Sequence, residues 1–329
     1  MKQRYLIATP QLHAPQKLNI KENTMDTTNT QAVGYKAKAF EARNLVFYFL
    51  LAFGLSWLSD ALILFGVWQP PSSIGEQFGT IPGILQIVLG FGPTIAAFIM
   101  TGLTEGKAGA KALWKRFWNR NMSFRWLLVT LLFLPGLRLV INLVARMLDG
   151  QAYPLLDFAD QPWMIIPVIP QFLVAFIFNG MSEEFGWRGY ALPRFQARWN
   201  ALTSSLILGV IWASWHILGF ITPGATLYQR NFWEWAPWII MTSIFYTWIF
   251  NNTKGSVLAV ALFHAMANTQ IFWCCGSSIW SLYGVYLLAA VLIVIVFNPK
   301  NLVKGRSEVG AEQETIRTDT NFIVEETKL

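Results

Sequence analysis

The sequence predicts an all-α protein, a polytopic bundle of about eight transmembrane helices with the N and C termini both cytoplasmic. Three observations predict it. Charged residues make up only 13% of the 329, where a soluble domain carries about 25%. Eight apolar runs approach the roughly 20 residues a helix needs to cross a bilayer; they lie at 45–68, 81–103, 126–147, 163–186, 202–220, 236–250, 257–272 and 279–297. The positive charges then alternate along the chain. Seven Lys or Arg precede the first run, none follows it, six follow the second and none the third. Arg188, Arg194 and Arg198 follow the fourth, and five more basic residues lie in the tail. That alternation is the positive-inside pattern, so the net charge of +7 reports topology rather than a nucleic-acid partner.

Three stretches follow. Residues 1–44 form a polar arm without the apolar centre of a secretory signal peptide, 45–298 the transmembrane helical domain, and 299–329 a polar cytoplasmic tail of disordered composition. Within the first span Asp60 lies between Trp57 and Trp68, and is read as a solvated acid near the outer interface. Gly90–Thr94 in the second run combines small residues and a proline, which allows close helix approach or a kink. Residues 104–125 alternate basic and apolar side chains, as in an amphipathic segment lying on the cytoplasmic leaflet. Arg138 stands deep in the third run and needs a partner or a wet cavity. The loop 148–162 is acidic. Cys274 and Cys275 are adjacent, so they give no disulfide framework. Asn251–Gly255 is a turn signal that also caps the seventh run.

The chemistry concentrates around Met181–Tyr190. Glu183 and Glu184 close an apolar run where each buried charge costs roughly 2.5–3.5 kcal/mol on insertion scales. On a helix Glu184 and Arg188, four apart, share a face and can pair, which leaves Glu183 turned about 100° away as the free acid. Glu183 and His216 are nearly equidistant from the break at Trp199–Asn200, so an antiparallel helical hairpin sets them at one depth. His264 and Asn268 share a helical face in the seventh run. Two of the chain's three histidines thus fall inside predicted spans. A glutamate held beside a second carboxylate can serve as a base toward water, a histidine can orient that water, and a further histidine with an amide can donate to an oxyanion.

Glu183-Glu184-x-x-x-Arg188, a second motif ending in His216, and His264-x-x-x-Asn268, in that order, resemble the CAAX-protease and bacteriocin-processing family, also called CPBP or Abi. The resemblance covers about residues 85–298. One departure is visible: the family usually has Phe four residues before the second-motif histidine, and Trp212 stands there. The resemblance implies an intramembrane protease of the multi-pass cell membrane, cleaving near the cytoplasmic side. It implies that Glu183 and His216 activate water, that His264 and Asn268 stabilise the oxyanion, and that Arg188 holds Glu184. Its substrate would be a membrane-associated peptide or protein. No cofactor is favoured. A zinc reading stays open because the family is often labelled metalloprotease and Glu183, His216 and His264 can supply three ligands, although His-Glu-x-x-His is absent. Two readings compete: a transporter or channel using the same polar residues as an ion path, for which no inverted repeat is found, and a non-catalytic scaffold or immunity protein.

Overall fold

The computed structural model describes residues 41–119, 122–150, 163, 166–269 and 279–304. The arm through residue 40, Asp157 and Asp160 of the acidic loop, Cys274 and Cys275, and the tail beyond 304 lie outside the described residues. Among those described, every regular element is helical.

The first is α1, Ala42–Leu64. A short α2, Ile74–Gly79, and α3, Ile81–Gly90, follow. Both start where a hydroxyl takes up an orphan amide: Ser73 accepts from the Glu76 N–H and Thr80 from that of Gly83. From α3 the chain bends by 61° into α4, Gly92–Phe117. Pro93 sits in the first turn of α4, where its missing N–H costs nothing. The run at 81–103 is therefore a bent pair rather than one straight rod. Further on, α4 kinks at Gly106, whose φ of 69° favours glycine. Beyond the kink it is amphipathic as its pattern predicts, with Leu113 and Phe117 buried and Lys107, Lys111 and Lys115 exposed.

Next is α5, Phe124–Asp149, capped by Ser123. It carries Arg138 in a buried and partnered position. A single helical rod then runs from α6, Val168–Ala175, through a π turn at Phe176–Met181, α7 at Ser182–Glu184, a second π turn at Phe185–Ala191, and α8 at Leu192–Gln196. After a break, Asn200 caps α9, Ala201–Trp215, through a 2.7 Å bond from the Thr203 amide. A 3-10 turn, Ile217–Phe220, continues from it. The last helices are α10, Phe232–Asn252, α11, Val257–Asn268, and α12, Ile279–Phe297. The turn before α11 has Lys254 and Gly255 at positive φ, and Ser256 caps the helix.

Three helices (α1, α5 and α12) are long and apolar enough to cross a membrane, or four if the bent α3/α4 pair is one span. The apolar runs on α9 and α11 form helices of 15 and 12 residues, short of the ~20 that span a bilayer upright. Large apolar side chains cover the outside, among them Leu103 and Ile295, each more than 70% exposed. A surface of that kind suits lipid rather than water. The core is aromatic, with Tyr48, Phe185, Trp187, Tyr246 and Phe263 all buried. The first residues after α12 dock on the bundle: Pro299 and Lys300 carbonyls accept from the amides of Leu202 and Ala201, so the start of the tail satisfies orphan donors of α9.

Candidate active site

The rod holding Glu183 and Glu184 is fixed by close approach. A Cβ on Gly180 would stand 2.6 Å from the Ala261 carbonyl oxygen, and one on Gly186 would stand 2.5 Å from that of Pro93. Only glycine lets the rod lie so near α11 and α4. The π turns leave carbonyls out of the normal helical ladder, and hydroxyls take them up. Ser182 donates to the carbonyls of Phe178 and Asn179 at 2.7 and 3.1 Å, and Thr94 of α4 donates to that of Met181 at 2.8 Å.

Glu184 and Arg188 pair on this rod. Nη1 of Arg188 lies 2.9 and 3.1 Å from the two Glu184 oxygens, and both side chains are fully buried. The rest of the guanidinium packs into the corner between two nearly perpendicular rings, 4.4 Å from the centre of Trp212 and 4.0 Å from that of Tyr246. In a dry site such cation–π contacts supply what water would. Glu184 Oε1 also receives His264 Nδ1 at 2.7 Å. A carboxylate paired with arginine accepts, so Nδ1 carries the proton and, in the neutral ring, Nε2 carries the lone pair. That Nε2 stands 3.9 Å from Glu183 Oε1.

Glu183 is nearly as deep, 3% exposed. Its Oε2 accepts two indole N–H bonds, from Trp187 at 3.1 Å and from Trp212 at 2.7 Å. Oε1 is left to face His264. His216 is half-buried at the C-terminal cap of α9. Its Nδ1 meets the Trp212 carbonyl at 2.9 Å; a carbonyl only accepts, so the neutral ring again has its lone pair at Nε2. Trp215 and Trp235 flank the ring at 4.7 and 4.8 Å.

The structure thus gathers Glu183, Glu184, Arg188 and His264 into one buried cluster, with His216 joined to it through Trp212. Asn268 stands one turn beyond His264 as the last residue of α11. It is exposed, and no hydrogen bond among the described residues ties it to the other five. Equidistance from the break predicts His216 opposite Glu183. The structure instead places Trp212 there, with His216 a turn further along. The second π turn, Phe185–Ala191, lies between Glu183 and the break: a wider turn holds more residues, so Glu183 lies nearer the break than straight α-helix arithmetic allows. Sequence reasoning did not find Trp187, Tyr246, Ser182 or Thr94. Trp187 lay inside the first motif as a visible signal, whereas Tyr246 is one aromatic among many on α10.

Among the described residues no group of three His, Cys, Asp or Glu side chains is placed to hold a metal ion. Glu184, the best-placed extra carboxylate, is already held by Arg188 and His264.

The apolar helical bundle thus encloses a buried acid–imidazole cluster with a paired arginine. Residues 165–270 match the family described as type II CAAX prenyl endopeptidase Rce1-like. The chain is also similar to CAAX prenyl protease 2 of Methanococcus maripaludis, 25% identical over 233 residues, which cover 65% of this chain and 82% of that protein. Both matches support a member of the CAAX-protease and bacteriocin-processing family of intramembrane proteases.

Proposed function

We propose that the chain is an intramembrane endopeptidase that uses Glu183 as its general base, without a metal. The observation that carries this is the division of labour between the two acids. Glu184 is committed to Arg188 and His264, whereas Glu183 has one oxygen held by indoles and the other 3.9 Å from an imidazole nitrogen. That gap suits a water donating one O–H to Glu183 Oε1 and the other to His264 Nε2. His216, its Nδ1 spent on the Trp212 carbonyl, offers Nε2 as the alternative acceptor for the water's second O–H when His264 is an imidazolium. As the water oxygen attacks the scissile carbonyl carbon, its proton passes to Glu183, which later delivers it to the leaving amine nitrogen. With His216 taking that O–H, His264 enters the step as an imidazolium, holding a proton taken up from solvent beforehand, and donates to the oxyanion from Nε2, while Asn268 supplies an amide donor from the same helix. The 3.9 Å contact favours a second reading as well, in which His264 takes the proton from water and hands it to the oxyanion.

The substrate class follows the relatives. A membrane-associated protein or peptide with a C-terminal Cys-aliphatic-aliphatic-X sequence is proposed as the target, cut near the cytoplasmic side in the multi-pass cell-membrane setting. The test is cleavage of an internally quenched peptide of this type, with and without an isoprenyl group on the cysteine, by protein in vesicles. Glu183→Ala and His216→Ala should each abolish cleavage while the chain still inserts. Wild-type rates in both variants would end the proteolytic assignment of this site.

A further inference from the structure

We infer that Trp212 and Trp187 are positioning residues that clamp one oxygen of Glu183 so that the other alone meets the reacting water. This rests on the reading of Glu183 as base. Two indole N–H groups, one from the rod and one from α9, converge on the same atom, Oε2. Indole nitrogen only donates, and a carboxylate bound by two donors from different helices has a fixed rotamer. Trp212 does three other things: its carbonyl meets His216 Nδ1, its face packs on Arg188, and its ring centre lies 5.6 Å from that of His264 at a steep angle. A phenylalanine at this place would keep the backbone carbonyl and an aromatic face but lacks both the N–H and the second ring of the indole, so Trp212→Phe removes the donor to Glu183 together with some packing volume.

The experiment compares Trp212→Phe, Trp187→Phe, the double variant and Glu183→Ala in vesicles, with the quenched peptide as probe. Loss of the partners that orient a metal ligand typically costs ten- to a hundredfold in activity, and an oriented base should behave alike. We expect each Phe variant to lose about tenfold in kcat per folded molecule and the double variant about a hundredfold, with KM within about twofold, beyond the fall in unfolding temperature that the smaller ring brings. A packing role alone would move the unfolding temperature and leave kcat per folded molecule intact, and that outcome overturns the inference. So does a double variant with kcat near wild type while Glu183→Ala is dead. Activity surviving in Glu183→Ala itself would instead overturn the reading of the base on which the clamp depends.

Discussion

Replacing Arg188 by methionine tests how the acid pair is held. Glu184 is fully buried and has two classes of donor, Arg188 Nη1 and His264 Nδ1. Arg188→Met leaves an ionised carboxylate with the imidazole alone. Removing one partner of a buried pair costs about 3–5 kcal/mol, and the lost cation–π contacts with Trp212 and Tyr246 add about 0.5–2 kcal/mol. Methionine sulfur against the same rings returns part of that. The net loss is about 4 kcal/mol, a large share of the 5–15 kcal/mol that holds a typical domain together. Glu184→Gln alone strands the guanidinium at a similar cost. The double variant Glu184→Gln/Arg188→Met buries no charge, and replacing a whole buried pair is often neutral or stabilising. It should therefore be more stable than either single variant, with a coupling of at least about 2 kcal/mol, yet inactive because His264 has lost its carboxylate. Unfolding by SDS titration in mixed micelles, followed by circular dichroism, measures all four proteins. Single losses that add within about 0.5 kcal/mol in the double variant would refute the account.

Two further outcomes are expected. Gly180→Ala drives a Cβ against the Ala261 backbone, which cannot rotate away; it should cost about 1–3 kcal/mol as overpacking and lower cleavage at least tenfold by displacing the helix of His264, and a wild-type melting temperature and rate would contradict it. Stripping metal with a chelator, verified by elemental analysis, should leave full cleavage, because the donor set does not converge on an ion; activity restored only by added zinc would reverse that.

Which parts were legible in sequence follows from the range of the forces involved. The Glu184–Arg188 pair was readable because four residues on a helix fix its geometry locally, and the two intramembrane histidines because lipid makes polar groups conspicuous. The helix bundle was readable from apolar runs. Their division into spans was less so: α9 stops at Trp215, where His216 caps it and a 3-10 turn begins, and α3 bends into α4 at a glycine pair. Those ends are set by tertiary packing, which hydropathy does not see. Asn268 shows the same limit, since helical periodicity gives it His264's face while the end of α11 leaves it exposed.

The position of Glu183 depends on a feature with no periodic signature, the pair of π turns, and its supports can be removed one at a time. Ser182 and Thr94 donate to the carbonyls of Phe178, Asn179 and Met181. Both serve the turn that leads directly into Glu183, and Ser182 is itself fully buried. A buried acceptor stripped of its donor costs about 1–3 kcal/mol, comparable to what separates a π turn from regular helix in a packed site. Thr94→Val keeps the shape and removes one donor; Ser182→Ala removes the other. Together they should let the segment relax toward α geometry, turning Glu183 away from Trp212 and His264. Cleavage per folded molecule should then fall at least a hundredfold in kcat for the double variant, alongside a stability loss of about 2–6 kcal/mol that leaves the chain folded and inserted. Amide exchange across 176–184 should rise in step. A double variant that keeps wild-type kcat would show that the π geometry of Phe176–Met181 is incidental to the placement of the base.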